Sequence, residues 1–253
     1  MKIIFLGTGT SFGIPTIGCK CKTCTSRNPK NRRLRSSILI QYNRKNIIID
    51  TSVDMRQQML KNNISRLDAI LFTHAHADHI HGLDEIRRFN QLQKAPVDAY
   101  ADKTTAKTIK RTFFYIFEKS PLTTGLIPSI NLKIIKKSIK LFGEKITPLK
   151  IFHYQLPILG YRIDNFAYIT DASFIPEETF DKLNGLDCVV LNALRNEPHP
   201  AHFSLKEALE MAEKIKAKRT YFTHICHELE HNKTEKHLPK GICLAYDGLV
   251  IET

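Results

Sequence analysis

Thr73-His74-Ala75-His76-Ala77-Asp78-His79 follows directly on the run Leu67–Phe72, and its reading decides the rest. Three histidines and an aspartate packed this densely are metal-ligand chemistry. His74 and His76 stand two apart, so on extended backbone they point the same way. Asp78 and His79 come where the chain turns into a helix carrying Leu83 and Ile86. One loop can therefore offer two ligands to one metal and two to another. A merely polar surface loop has no reason to hold these groups at a strand end in this spacing.

Working outward, short runs rich in Ile and Val read as strands: Ile3–Leu6, Ser37–Gln41, Ile47–Asp50, Ala69–Phe72, Ile146–Phe152, Tyr161–Ile163, Ala167–Thr170, Cys188–Asn192, Tyr221–Thr223 and Leu249–Ile251. Helical stretches are fewer: Asp54–Lys61, His79–Gln91, Lys103–Arg111 and Ser204–Ile215. Ser204 with Glu207 makes a capping box at the start of the last. The turn at Asn43–Asn46 is too short for a crossover helix, so much of the sheet is expected to be antiparallel. Asp247-Gly248 predicts a hairpin between Ala245 and Leu249. Lys103–Ser129, with Pro121, Gly125 and Pro128, reads as a small covering insertion. Strands with helices on their faces give a layered α/β or α+β sandwich, expected as one domain over 1–253 with no linker and no repeat.

Composition bounds the class. The 253 residues carry 42% apolar and 25% charged residues, which excludes a disordered or collagen-like chain. A chain this long can bury a core without disulfide staples. Its longest apolar runs fall far short of the ~20 residues of a membrane span. The opening MKIIFLGTGT is too short for a signal-peptide core, so the expected compartment is the cytoplasm. The six cysteines fit that compartment if reduced or metal-bound. Cys19, Cys21 and Cys24 have the spacing of a closed tetrahedral zinc site lacking one ligand. Both His227 and Cys226 can supply it. Three further candidates end apolar runs, where a rigid element can aim them: His153, Asp171 and His224.

The H-x-H-x-D-H pattern after an apolar strand resembles the signature of the metallo-β-lactamase-fold hydrolases. Phe5-Leu6-Gly7-Thr8-Gly9-Thr10 and Ile47-Ile48-Ile49-Asp50 resemble that superfamily as well, and the likeness covers nearly the whole chain. It implies a four-layer αββα sandwich with a two-metal site at one edge. By this resemblance His74, His76 and His153 hold one divalent ion, Zn or Mn. Asp78, His79 and His224 hold the other, and Asp171 bridges. Asp78 is expected to serve catalysis as well as metal binding. Asp50 resembles an aspartate that holds the metal loop by hydrogen bonds without ligating, as ligating histidines require. The cysteine cluster combined with Thr223-His224-Ile225-Cys226-His227 resembles the subfamily of phosphoribosyl cyclic phosphate phosphodiesterases of the carbon–phosphorus lyase pathway. That likeness selects His227 as fourth ligand of a structural zinc. It also matches His202, within His199-Pro200-Ala201-His202-Phe203-Ser204, to an active-site histidine that contacts phosphate and acts as general acid. His199 is the weaker candidate, and His81, His231 and His237 read as surface or supporting groups.

The expected chemistry is phosphodiester hydrolysis by a metal-bridging hydroxide, with His202 protonating the leaving oxygen. The resemblance implies 5-phosphoribosyl 1,2-cyclic phosphate as substrate. A net charge of +13 favours a small anionic substrate by steering, and Arg195 is a candidate phosphate contact. The charge also keeps nucleic acid open as a partner, as in an endonuclease maturing transfer-RNA 3′ ends. A non-catalytic binding module on the same fold is the third reading. No membrane partner is expected, and a homodimer is left open.

Overall fold

A computed structural model describes residues 1–118 and 127–253. Strands β1 (Lys2–Gly7), β2 (Ser37–Tyr42), β3 (Lys45–Ile49), β4 (Ala69–Leu71), β5 (Val97–Ala101) and β6 (Ile130–Ile134) lie in one sheet. Strands β7 (Ile139–Leu141), β8 (Glu144–His153), β9 (Leu156–Ile163), β10 (Phe166–Tyr168), β11 (Cys188–Asn192), β12 (Arg219–Thr223) and β13 (Ile242–Leu244) form the second. The final strand β14 (Val250–Glu252) crosses back to pair with β1. Each sheet is antiparallel on one side and parallel on the other. The first runs β14-β1-β2-β3 antiparallel and β3-β4-β5-β6 parallel. The second runs β7-β8-β9-β10 antiparallel and β10-β11-β12-β13 parallel.

Helices α1 (Met55–Lys61), α2 (Ala77–Ile80), α3 (Ile86–Gln93), α4 (Lys103–Thr112), α5 (Phe114–Phe117), α6 (Glu177–Phe180), α7 (Leu205–Ile215) and α8 (His231–Glu235) connect the strands. Ile3, Phe5, Ile38, Ile40, Tyr161 and Tyr168 pack between the sheets. On the outer face of the first sheet, Ile4, Leu6 and Ile48 meet Met55, Phe89 and Ile109 of α1, α3 and α4. On the outer face of the second, Val189 and Leu191 meet Ala208, Ala212 and Ile215 of α7. The result is the four-layer αββα sandwich. A central strand is buried on both faces, so its sequence reads as an unbroken apolar run.

The capping box is formed: Ser204 Oγ accepts from the Glu207 N–H at 3.3 Å, and the Glu207 carboxylate accepts from the Ser204 N–H at 2.8 Å. Several expectations are corrected. Asp247-Gly248 makes no hairpin; it links β13 of one sheet to β14 of the other. Asp247 is drawn inward, where it accepts from Thr8 Oγ1 at 2.8 Å and the Leu34 N–H at 2.7 Å. The helix expected over His79–Gln91 breaks at Gly82, where a Cβ would lie 2.0 Å from the Ser52 carbonyl oxygen. Within Lys103–Ser129 the described residues carry α4 and α5 after β5, whose parallel neighbour is β6; residues 119–126, with Pro121 and Gly125, lie outside the described residues. Strands β5, β6, β7 and β13 went unpredicted, being short or interrupted by polar residues. No helix among the described residues is long and apolar enough to cross a membrane.

Candidate metal centre

The parallel strands β3, β4, β10, β11 and β12 all point their C-terminal ends toward one edge, the position where such sheets receive ligands. Asp50 follows β3, the histidine loop follows β4, Asp171 follows β10 and His224 follows β12. His153 closes β8 at the same edge. Asp50, Asp171 and His224 hold φ of 65°, 58° and 54°. This left-handed backbone disfavours side chains and gathers at functional sites, because it swings a strand-end residue out of the sheet.

Asp171 is the hub. Its Oδ2 lies 3.4 Å from His79 Nε2 and 3.4 Å from His224 Nδ1, while Oδ1 faces His202 Nδ1 at 3.8 Å. Asp78 Oδ2 is 3.3 Å from His79 Nε2. The rings of His74, His76 and His153 cluster alongside, with centroids 4.5, 5.0 and 5.7 Å apart. Asp78, His79, Asp171 and His224 converge as one group of donors; His153, Asp171 and His202 converge as another.

The non-converging ring nitrogens are tied down. Asp50 is fully buried and accepts from the Thr73 N–H, Thr73 Oγ1 and His79 Nδ1 at 2.8, 2.8 and 2.7 Å. Thr73 Oγ1 in turn accepts from His74 Nδ1 at 2.9 Å. His153 Nδ1 donates to the carbonyls of Asp171 at 2.9 Å and Ala201 at 2.7 Å. These bonds fix which nitrogen of each ring carries hydrogen and leave the other nitrogen for a metal. Asn192 steadies the Asp171 turn, accepting from the Ala172 N–H at 2.7 Å and donating to its carbonyl at 3.0 Å.

Among the buried side-chain atoms without a hydrogen-bond partner in the described residues, four nitrogens lie in this cluster: His74 Nε2, His79 Nε2, His202 Nδ1 and His224 Nδ1. One such group costs ~1–3 kcal/mol, so four gathered around ionised carboxylates fit a cation and little else. Charge states agree. Burial lowers the pKa of His74, His76 and His224, keeping them neutral. Burial opposes the Asp171 carboxylate, but His224 and His79 outweigh it and hold it well below the ordinary value. His79 is the exception: burial disfavours its charge, yet Asp171, Asp78 and Asp50 hold its pKa well above the usual value. Burial, then His224, pushes His202 down to about 3.

The thiols of Cys19, Cys21 and Cys24 lie 3.2, 3.4 and 3.6 Å from His227 Nδ1, a closed four-donor set. Cys226 turns elsewhere, its Sγ accepting from the Glu228 N–H at 3.3 Å. The buried Arg33 guanidinium donates to the carbonyls of Cys226 and Leu229 at 2.9 and 2.8 Å, bracketing His227. Arg195 lines the cavity beside His202, but its guanidinium donates to the Glu197 and Pro198 carbonyls of its own loop at 3.2 and 3.0 Å. His199 lines the same cavity. His81 and His237 are exposed, whereas His231 is buried at 2% exposure, away from the metal cluster, with its ring against Tyr246. Thr73, Asn192 and Arg33 are the supporting residues that the sequence did not reveal. Position at a strand end was the available signal for Thr73 and Asn192; none marked Arg33.

Fold and donor set together are those of the metallo-β-lactamase fold, with a candidate metal centre at one edge of the sandwich. Residues 45–225 match the family model described as a β-lactamase superfamily domain, and the chain belongs to that superfamily. Within it the chain is similar to a diphosphatase of the PhnP family, at 44% identity and a TM-score of 0.93, covering 100% of this chain and 97% of that one. It is also similar to an octanoyltransferase of Porphyromonas gingivalis, 35% identical over 254 residues, which is 98% of this chain and 51% of that protein. The chain thus spans about half the length of that curated relative. Zn(2+)-bound PqqB from Methylobacterium extorquens shares the fold at 17% identity and a TM-score of 0.81, covering 100% of both chains.

Proposed function

We propose that the chain hydrolyses phosphodiesters or the related phosphoric anhydrides of small anionic molecules. The observation that carries this reading is the two-sided Asp171 carboxylate, with His79 and His224 at one oxygen and His202 at the other. By this reading His74, His76 and His153 would hold one ion, Asp78, His79 and His224 would hold the other, and Asp171 would contribute to both. Two divalent ions, Zn or Mn, would supply Lewis acidity and bring the pKa of water toward ~7. Asp50 holds His79, and through Thr73 holds His74, so that neither ring reorients during turnover. His202 faces the substrate side and hands a proton to the leaving oxygen. Burial keeps it neutral beforehand, so the proton it hands on is the one released by the attacking water. Cys19, Cys21, Cys24 and His227 would hold a structural zinc, since four protein ligands leave no position for water.

Two substrate classes follow: the ribose cyclic phosphate implied by resemblance, and a diphosphate of the kind the PhnP-family relative's description names. The octanoyl transfer in the other relative's name belongs to a protein about twice as long. A panel tests the reading: bis-p-nitrophenyl phosphate, ribose and nucleoside cyclic phosphates, a diphosphate diester, precursor transfer RNA and an octanoyl thioester. Turnover of the small phosphates by protein reconstituted with Zn or Mn is expected. Turnover confined to the thioester or to transfer RNA overturns it.

A further inference from the structure

Two recesses open on the donor cluster, one lined by His202 and His224 and the other by His76 and His153. The first, about 410 Å³, is lined by Thr10, Phe12, Arg195, His199, His202 and His224 among others. The second, about 660 Å³, is lined by His76, His153, Tyr154, Gln155, Leu156 and Ala201 together with Pro200. The wall between them is the His199–His202 segment. Its two histidines face the first recess, and its Pro200 and Ala201 face the second. The wall is fixed in place, because the Ala201 carbonyl accepts from His153 Nδ1 at 2.7 Å.

The recesses differ in chemistry. The first offers a cation, imidazoles and hydroxyls around the exposed ring of Phe12. The second offers Tyr154, 61% exposed, beside Leu156. Tyr154 sits at φ 55° with its N–H donating to Ser173 Oγ at 2.8 Å, so an anchored backbone presents its ring. Each recess alone is in the ~300–1,000 Å³ range that holds a small ligand. A cyclic phosphate, whose two ester oxygens belong to one sugar, has a single body to place in them.

We propose that the centre is built for phosphodiesters carrying a substantial group on each side of phosphorus. The leaving group lies along Phe12, Arg195 and His199, and the retained group lies against Tyr154 and Leu156. This rests on the phosphodiester reading and narrows its substrate. Water gives a proton to His202 as its oxygen bonds to phosphorus, the P–O bond on the His202 side breaks, and the leaving oxygen takes that proton from His202. The retained group stays esterified and never leaves the Tyr154 side. A flat or aromatic retained group gains ring contact there that a methyl group cannot make.

Phenyl p-nitrophenyl phosphate and methyl p-nitrophenyl phosphate share a leaving group and differ only in the retained one. Their ratio of kcat/KM should fall about tenfold in Tyr154→Ala and persist in Tyr154→Phe, which keeps the ring. Comparing enzymes cancels the intrinsic reactivity of the two esters. Diphenylphosphinate and methylphenylphosphinate, which cannot be hydrolysed, extend the test to binding by calorimetry on the metal-loaded protein. The diphenyl compound should bind about tenfold tighter to wild type and no tighter to Tyr154→Ala. Equal affinities in wild type, or an ester ratio indifferent to Tyr154, overturn the inference. If neither ester is hydrolysed the phosphodiester reading fails, while the phosphinate comparison still judges the two recesses.

Discussion

Asp171 has two carboxylate oxygens with different neighbours, and that asymmetry makes the sharpest predictions at the residue scale. Asp171→Asn removes the negative charge between the donor groups and leaves the shape almost unchanged. Metal content and phosphodiesterase rate should fall together, the rate by about 100-fold or more, while the melting temperature of the metal-free protein moves little. Elemental analysis beside a rate assay checks this; full occupancy with wild-type turnover would remove Asp171 from its central place. His202→Ala separates proton donation from phosphate grip. An alkoxide leaves poorly without a proton, so the loss on an alkyl diester should reach about 10²–10⁴-fold. A p-nitrophenolate leaves unaided, so the aryl diester should lose under about tenfold. Equal losses on both would make His202 a clamp instead. At this scale the sequence was most legible where ligand types crowd together, as in His74–His79. It was least legible for Thr73 and Asn192, whose work is to hold a neighbour's orientation: a buried hydroxyl or amide resembles a solvated one until its partners are known.

Among the elements, the loop following β12 matters most, because it carries His224 of one donor set and His227 of the other three residues apart. Loosening the thiol site should therefore reach the donor set that contains His224. Cys21→Ser is expected to lose the structural zinc and lower the melting temperature by several degrees, of order 2–4 °C per kcal/mol for a chain of this size. The two-metal site should still load, with weaker affinity on the His224 side; thiolate–metal spectroscopy and calorimetric titration report the two effects separately. An unchanged zinc content would count against the thiol assignment. Long apolar strands were readable because burial on both faces leaves no polar interruption, as in Ile38–Ile40 and Ile47–Ile49. Asp247-Gly248 misled because a turn dipeptide records local backbone preference and carries no information about which sheet the next strand joins. Here long-range pairing of β14 with β1 decided it.

For the molecule as a whole, Asp247 sits where the chain passes between sheets, and it makes stability depend on pH. Burial raises its pKa to about 6, against hydrogen bonds from the Leu34 N–H and Thr8 that favour the charge. A carboxyl raised in the folded state binds more protons folded than unfolded between pH ~4 and ~6, so its contribution is complete below that window and is lost as pH rises through it. Asp247→Asn keeps an acceptor for Leu34 and places its amide against the Thr8 oxygen, without titrating. Relative to this variant, wild type should lose stability by about 2 kcal/mol between pH 4 and 6, read from denaturant midpoints. A parallel pair of curves would show that the ionised form is not penalised. The layered architecture was legible from strand and helix runs, but the mirrored order of the two sheets was not, since register and crossing are set by contacts distant in sequence. That order has a practical side. All the chemistry hangs from one edge, while the turns at Asn43–Arg44 and Phe142–Gly143 meet at the opposite one, where Asn43 Nδ2 donates to the Phe142 carbonyl at 3.2 Å. Peptide tags inserted there, or a solid support attached there, would leave the reactive rim facing solution, so immobilised protein should keep its substrate access.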